Sequence, residues 1–253
     1  MGRVIAVANQ KGGVGKTTTA INLGASLAAA ERTVLVVDAD PQGNLTSGLG
    51  RRPAEKRPSL YDCLIDQRPL EEILLDTDLP HLTLAPSDRN LTGAEVELVP
   101  LLAREYRLKE ALAPVAPRYD YVFVDCPPSL GLLTVNALAA ADRLLVPLQC
   151  EYFALEGISE LMNTLRRVQR ALNPALDVEG VLLTMVDDRT NLTQQVATEI
   201  RAHFKDKVFR TAIPRSIRLG EAPSFGKPVI HHDPHCAGAD AYFELAKEVA
   251  ARG

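Results

Sequence analysis

A glycine-rich segment near the N-terminus has the residue types needed to bind phosphate groups. It reads QKGGVGKTT and lies between the apolar run VIAVAN and the helical pattern AINLGASLAAA. Glycines let the backbone curl so that its N–H groups point inward, and the following helix adds its positive dipole end. Lys16 would reach the β and γ phosphates of a nucleotide, and the Thr17 hydroxyl would complete the coordination of Mg²⁺. The predicted nucleotide-binding residues of this loop are Gly12, Gly13, Val14, Gly15, Lys16, Thr17 and Thr18.

Three aspartates follow apolar runs and could act at such a phosphate site. Asp125 closes the run YVFVD, so its carboxylate is expected at the carboxyl edge of a sheet, where bound Mg²⁺ needs a carboxylate behind its direct ligands. The alternative is a structural turn aspartate, since Pro127 and Pro128 follow. Asp38 and Asp40 lie two apart at the end of another run, so they project to the same side of an extended strand. The residues alone leave open which of these two acts on water.

Short apolar runs without alternation are expected to form the strands that position these residues. They cover residues 3–8, 33–37, 121–124, 144–146 and 181–186, with a weaker candidate at 83–85. Continuous apolarity indicates strands that are covered on both faces. Helical patterns alternate with them at 16–30, 155–172 and 192–204, and a closing helix is expected at 241–251.

This alternation predicts a doubly wound α/β fold, with a mostly parallel twisted sheet and helices on both faces, like that of P-loop NTPases. We expect a single domain over residues 1–253, because one open α/β sheet can use the whole length. The aperiodic segment 50–58, with its two prolines and four basic residues, predicts an exposed loop rather than a domain boundary.

Composition excludes several classes of protein. The 253 residues are 46% hydrophobic and 24% charged, which is unlike a disordered, collagen-like or disulfide-scaffold chain. Cys63, Cys126, Cys150 and Cys236 lack the spacing of a zinc site and are expected to be reduced thiols. No apolar stretch approaches the roughly 18 residues of a membrane-spanning helix, and the N-terminus does not resemble a secretory signal. We therefore expect a soluble, cytoplasmic protein.

The phosphate loop departs from the usual P-loop pattern in a way that resembles one family. The pattern G-x-x-x-x-G-K-[ST] would require glycine at position 10, where this chain has Gln10, followed by a second lysine, Lys11. The segments KGGVGKTT, VDADPQGN, VFVDCPPSLG and IPRSIRLGEAPSFGKP resemble the ParA/Soj partitioning proteins of the ParA/MinD group of deviant P-loop ATPases. These segments span nearly the whole chain. The resemblance implies an ATPase that uses ATP and Mg²⁺.

The resemblance also implies an ATP-dependent homodimer. Lys11 would reach across a nucleotide-sandwich interface to the partner's phosphates, and would neutralise developing charge as an arginine finger does. Gly12 has no side chain and would permit this close approach. Glu151 and Phe153, in CEYFALEG, fall where the family has further dimer contacts, although a plain helix-entry loop would need neither of them.

Roles at the nucleotide follow from the same resemblance. Asp40 would position or activate the attacking water, while Asp38 would lie near the metal through water. Ile213 and Pro214 would border the adenine.

Positive charge is concentrated toward the C-terminal third. Residues 201–227 contain seven basic and two acidic residues, whereas the rest of the chain has 21 basic and 30 acidic residues. Such asymmetry suits contact with phosphate backbones, and without a base-reading motif it predicts nonspecific binding to double-stranded DNA. A solvated basic face is the alternative. The resemblance points to Arg189, Arg215 and Arg218 as the DNA-binding residues, to a ParB/Spo0J-type partner that stimulates hydrolysis, and to association with the nucleoid.

Three other functions share features of this sequence. A MinD-like membrane-associated ATPase has the same loop, but its attachment needs a basic amphipathic C-terminal helix. Here the charges of Lys247 and Arg252 are offset by those of Glu244 and Glu248, so no membrane partner is expected. An iron protein of the nitrogenase type would use two cysteines per subunit to hold an iron–sulfur cluster. Cys126 and Cys150 do not lie in the glycine-flanked sequence context that the cluster cysteines of that family have. A scaffold that binds ATP without hydrolysis is disfavoured by the intact lysine and aspartates of the site.

Overall fold

The computed structural model describes residues 2–51, 57–151, 154–187 and 189–252, with the backbone alone at 154–156 and 192. The strands are β1 (Arg3–Val7), β2 (Val34–Asp38), β3 (Leu75–Asp76), β4 (Leu82–Ala85), β5 (Tyr121–Asp125), β6 (Arg143–Gln149) and β7 (Asp177–Thr184). The α-helices are α1 (Lys16–Ala29), α2 (Asn44–Gly48), α3 (Leu60–Ile65), α4 (Leu91–Glu97), α5 (Arg107–Leu112), α6 (Leu132–Ala140), α7 (Ala154–Ala171), α8 (Asn191–Phe204), α9 (Ile217–Glu221), α10 (Val229–His232) and α11 (Ala237–Ala251).

The described strands form one seven-stranded sheet in the order β3-β4-β2-β5-β1-β6-β7. All neighbouring pairs are parallel except β3 with β4, which is antiparallel. The carboxyl ends of β1, β2 and β5 meet in register, since Asp125 pairs with both Val7 and Asp38. This register brings the phosphate loop after β1 and the aspartates of β2 and β5 to the same edge of the sheet.

Helices cover both faces of the sheet, as the continuous apolar runs predict. One hydrophobic cluster packs α1, α2, α9, α10 and α11 on one face, and a second packs α3, α4, α5, α6, α7 and α8 on the other. Strands β2 and β5 are buried along their whole length. Burial on both faces is the reason these strands contain few polar residues before their final aspartates. The predicted doubly wound α/β fold is confirmed.

The predicted elements lie close to their expected positions. The weaker strand candidate at 83–85 is β4, and the closing helix begins four residues before its expected start at 241. Of the predicted loop at 50–58, residues 52–56 lie outside the described residues. Among the helices that the structure describes, none is long and apolar enough to cross a membrane.

Candidate functional site

The phosphate loop curls between β1 and α1 by means of two left-handed glycines. Gly13 has φ of 74° and Gly15 has φ of 86°, a conformation that other residues rarely adopt. Gly15 also caps α1 without any side-chain hydrogen bond, so the first turn keeps unpaired N–H donors and its positive dipole end. The loop therefore has the geometry of an anion-binding turn.

Lys16 is folded back over this loop. Its side chain donates from Nζ to the carbonyl oxygen of Lys11 at 3.0 Å, and the residue is only 7% exposed. Burial holds the pKa of Lys16 below its usual value, while the nearby carboxylates of Asp125 and Asp40 act in the opposite direction. The ammonium group is thus held at the loop, where phosphate oxygens would bring it the counter-charge it lacks.

Asp125 is a buried carboxylate, and no group in the described part of the chain makes a hydrogen bond of standard geometry to either of its oxygens. Burial raises its pKa well above the usual value, the charge of Asp38 adds to this, and the nearby Thr17 hydroxyl opposes it. An unpaired carboxylate is costly to bury, so this position suits a cation. Mg²⁺ fits the available donors, because it is typically bound by one or two carboxylates with waters and substrate phosphates. Within the described chain, no three His, Cys, Asp or Glu side chains could hold a metal by themselves.

Asp38, which lies next to Asp125 in the sheet, is engaged differently. Its Oδ2 accepts hydrogen bonds from the Thr46 main-chain N–H at 2.8 Å and from the Thr46 hydroxyl at 2.6 Å. Burial raises the pKa of Asp38 to about 7, although these hydrogen bonds act to lower it. Asp38 therefore fixes the start of α2 behind the phosphate site.

Asp40 is positioned by its backbone and by a residue far along the chain. Its Oδ1 accepts from the Gln42 N–H at 2.9 Å, and its carbonyl oxygen accepts from the Ser87 hydroxyl at 2.7 Å. The Ser87 N–H in turn donates to the hydroxyl oxygen of Thr46 at 3.0 Å. This network connects the end of β4 to the loop that carries Asp40. Sequence reasoning did not identify Ser87 or Thr46, since only the fold brings residues 41 positions apart into contact.

Two adjoining cavities lie over the loop. The first has a volume of about 420 Å³ and includes residues that the sequence did not single out, such as Gln42, Asn44 and Ser47. Most of the predicted nucleotide-binding residues line it, namely Gly12, Gly13, Gly15, Lys16, Thr17 and Thr18, together with Asp40. The carbonyl oxygen of Val14 points elsewhere, because it accepts from the Thr184 hydroxyl at 2.8 Å.

The second cavity has a volume of about 270 Å³ and is lined by Ile213 and Pro214. Gly15 and Thr18 line both cavities, so the two are continuous along the loop. The Ile213 N–H donates to the Leu183 carbonyl at 2.8 Å, which fixes this turn to the end of β7. The predicted base-bordering residues therefore lie beside the predicted phosphate site.

Lys11 and Glu151 form an ion pair within the chain. The side chain of Gln10 also donates a hydrogen bond to the carboxylate of Glu160 in α7, at 2.7 Å. The loop is thereby tied to the segment that follows β6. Phe153, the other predicted contact of this segment, lies outside the described residues.

The three predicted DNA-binding arginines differ in their partners. Arg189 makes a bidentate pair with Asp187, at 2.8 Å from Nε and 2.7 Å from Nη2. Arg215 is exposed, lines the second cavity and makes no side-chain hydrogen bond or close ion pair among the described residues, although its charge acts on Asp187. Parallel pairing of Val186 with Pro214 brings these two arginine segments side by side.

Arg218 is held by two carboxylates. Its Nη1 lies 2.9 Å from Glu221, and its Nε lies 3.1 Å from Asp233. Two of the three arginines are thus paired within the chain.

Comparison with known proteins agrees with this geometry. The model of the AAA domain family matches residues 2–178. The sporulation initiation inhibitor protein Soj of Bacillus subtilis is 56% identical over 253 residues, covering 100% of both chains. The chromosome partitioning protein ParA of Myxococcus xanthus is 55% identical over 252 residues, covering 100% of this chain and 89% of the relative.

A solved structure extends the comparison to a bound nucleotide. Cobyrinic acid a,c-diamide synthase from Mycobacterium smegmatis, crystallised with ADP and magnesium, matches with a TM-score of 0.86 and 40% identity. The match covers 98% of this chain and 93% of that one. The predicted resemblance is confirmed, and the chain belongs to the Soj/ParA family of chromosome-partitioning ATPases.

Proposed function

We propose that this protein couples the binding of Mg-ATP to assembly of a homodimer on DNA, and that hydrolysis of ATP releases it. The observation that carries the nucleotide chemistry is the unpaired, buried Asp125 carboxylate beside Thr17 at the end of the phosphate loop. The continuous cavities over the loop support a nucleotide that runs from Lys16 to the turn at Ile213 and Pro214.

In this proposal the loop N–H groups of residues 12–18 bind the phosphates, and Lys16 exchanges the Lys11 carbonyl for β and γ oxygens. Thr17 and Asp125 would hold Mg²⁺, which would supply neutralisation of the phosphate charge. Asp38 orders the neighbouring loop through Thr46, and its approach to the metal through water stays a prediction. Pro214 and Ile213 border the adenine.

Hydrolysis is assigned to two side chains. Asp40 lines the phosphate cavity and would position the attacking water, because its carboxylate is held by the Gln42 N–H. Lys11 would act on the nucleotide of a second copy, with Gly12 allowing close approach and Glu151 adding a dimer contact. A cation in this position stabilises charge that develops during phosphoryl transfer.

DNA binding is assigned to Arg189, Arg215 and Arg218. Dimerisation would double this basic surface, so ATP binding would strengthen a salt-dependent and nonspecific association with double-stranded DNA. A ParB/Spo0J-type partner would stimulate hydrolysis, and the protein would reside in the cytoplasm on the nucleoid. The membrane-associated alternative gains no support, because the basic residues of α11 are accompanied by carboxylates, as in the pair of Lys247 with Glu244, and the helix therefore lacks a basic face for an anionic membrane.

The decisive experiment is size-exclusion chromatography with and without Mg-ATP, followed by DNA binding of each peak. We expect a monomer without nucleotide, a dimer with ATP, and DNA binding by the dimer alone. An ATP-independent elution volume together with equal DNA binding of both samples would contradict the proposal.

A further inference from the structure

A second basic surface lies at the far end of α8 from Arg189. A groove of about 510 Å³ is formed there by the ends of α8 and α11 and the segment between α8 and α9, and it shares no residue with the two nucleotide cavities. Helix α8 has 14 residues, so its ends are roughly 21 Å apart. The charged residues that line the groove are Arg201, Lys205, Asp206, Arg210, Glu248 and Arg252.

Two of these arginines are fixed by neutral acceptors. Arg201 donates from Nη1 to the Phe209 carbonyl at 3.1 Å, and Arg252 donates from Nη1 to the Glu179 carbonyl at 2.6 Å. The Arg252 guanidinium also lies 4.1 Å from the centroid of the Phe209 ring. A carbonyl oxygen orients a guanidinium without neutralising its charge, so both groups remain cationic and rigid.

Gly180 on β7 makes this arrangement possible. A Cβ at that position would lie 2.5 Å from the Phe209 ring and 2.7 Å from Nη1 of Arg252. Any other residue would therefore displace the stacked pair.

The groove keeps a net positive charge, because four basic and two acidic side chains line it, although the carboxylates of Glu248 and of the neighbouring Glu179 act on Arg252. Both oxygens of Glu248 already accept hydrogen bonds, from the Arg210 N–H at 2.9 Å and from the N–H and hydroxyl of Thr211 at 2.6 Å each. Within the part of the chain that the structure describes, no carboxylate oxygen lies within 4.0 Å of the side-chain nitrogens of Lys205 or Arg210. Arg189 and Arg218, by contrast, are paired with carboxylates.

We propose that this groove binds phosphate groups, and that in the DNA-bound protein they belong to the DNA backbone. Oriented guanidinium groups with free N–H donors match phosphate oxygens, and the lysine adds a mobile charge. A separation of roughly 21 Å from Arg189 corresponds to about six base pairs along B-DNA. The groove would thus extend the contact along one duplex. This inference rests on the proposed DNA-binding function and adds a second point of contact to it.

The test uses charge reversal at Lys205 and Arg210, for which the described residues provide no carboxylate oxygen within 4.0 Å. Lys205→Glu and Arg210→Glu are compared with Lys109→Glu, an exposed lysine on α5 with the same change of charge. Binding to a duplex of about 20 base pairs is measured by fluorescence anisotropy with Mg-ATP at several salt concentrations. We expect about tenfold weaker binding for each groove variant and a salt slope reduced by about one unit, with Lys109→Glu unchanged.

Parallel measurements separate the alternatives. Thermal melting and ATP-dependent elution of the variants must match the unmodified protein, and inorganic tripolyphosphate is titrated as a free phosphate ligand in saturating Mg-ATP, which fills the phosphate loop. Groove variants that lose tripolyphosphate but keep DNA would overturn the assignment to DNA. If Arg218→Gln weakens DNA binding while Arg210→Glu and Lys205→Glu do not, the groove inference fails alone. If the unmodified protein with ATP binds no DNA, the proposed function fails and takes this inference with it.

Discussion

Lys11 and Glu151 are paired with each other inside a single chain, at the sheet edge where the phosphate loop opens. Their side chains are 43% and 44% exposed, so the pair contributes at most about 1 kcal/mol and weakens further in salt. A multiply charged phosphate is a stronger partner for Lys11 than one exposed carboxylate. Lys11 can therefore leave Glu151 at a small cost in free energy and take the role proposed for it on a second copy.

Lys11→Ala should bind ATP but remain a monomer. The cis cation, Lys16, is unaffected, whereas the charge proposed to cross the interface is lost. Sedimentation equilibrium with Mg-ATP measures the mass, and a nucleotide-binding assay controls for the site. A stable ATP dimer of this variant would contradict the assignment of Lys11.

Asp40→Ala should bind ATP, dimerise and hydrolyse very slowly, so that the DNA-bound state accumulates. The phosphate loop and Asp125 stay in place, and only the group proposed to position water is removed. Phosphate release with DNA present measures the rate, and the lifetime on DNA measures the trapped state. Normal turnover would move the catalytic role to another residue.

Much of the fold could be predicted because burial on both faces leaves a signal in the sequence. The runs that became β2 and β5 are apolar at every position before the final aspartate, so they are identified without knowledge of their neighbours. Strand β3 has two residues and depends on antiparallel pairing with β4, so it has no apolar run from which it could be predicted. The sequence does not predict helix α6, because LLTVNALAA is apolar on nearly all sides and shows no helical period.

The residues of the candidate site also differ in whether a local sequence pattern identifies them. Residues carried by a local motif, such as Lys16 and Asp125, are found from the sequence because the loop and the strand end are continuous segments. Ser87 and its contacts to the loop of Asp40 depend on the pairing of β2 with β4, which no local pattern specifies. The assignment of individual roles, and of a single domain over residues 1–253, stays a prediction.

Glu248→Ala should lower the free energy of unfolding by about 1 kcal/mol at pH 7, since three hydrogen bonds from a partly buried site are lost. Burial alone would raise the pKa of Glu248, but the bonds from Thr211 and Arg210 hold it below its usual 4.5. This stabilisation is therefore present above the unfolded-state pKa and disappears as pH falls through the lowered folded-state value.

Urea unfolding at several pH values checks this expectation. Glu244→Ala on the same helix is the control, since Glu244 is exposed and forms a surface ion pair with Lys247. A Glu248→Ala deficit that persists unchanged in strong acid would show that the loss comes from packing and not from the carboxylate.

Arg218→Glu should weaken binding to every DNA sequence alike and reduce the salt slope by about one unit, because a phosphate contact carries no sequence information. ATP affinity and dimerisation should survive, since the proposed nucleotide interface involves Lys11 and not Arg218. Anisotropy with two unrelated duplexes measures the effect. Unchanged salt dependence would leave this surface as a solvated face.

Glu221→Gln should act in the opposite direction and strengthen DNA binding. Arg218 donates from Nη1 to Glu221 at 2.9 Å, so the carboxylate competes with any phosphate for the same guanidinium. Glutamine keeps the size of the side chain and removes its charge, so that Asp233 is the carboxylate that still pairs with Arg218 in the described structure. The double variant Arg218→Gln, Glu221→Gln separates this competition from a general loss of negative charge. If the single and double variants gain the same affinity, the effect does not pass through Arg218, and the pair is only a surface ion pair.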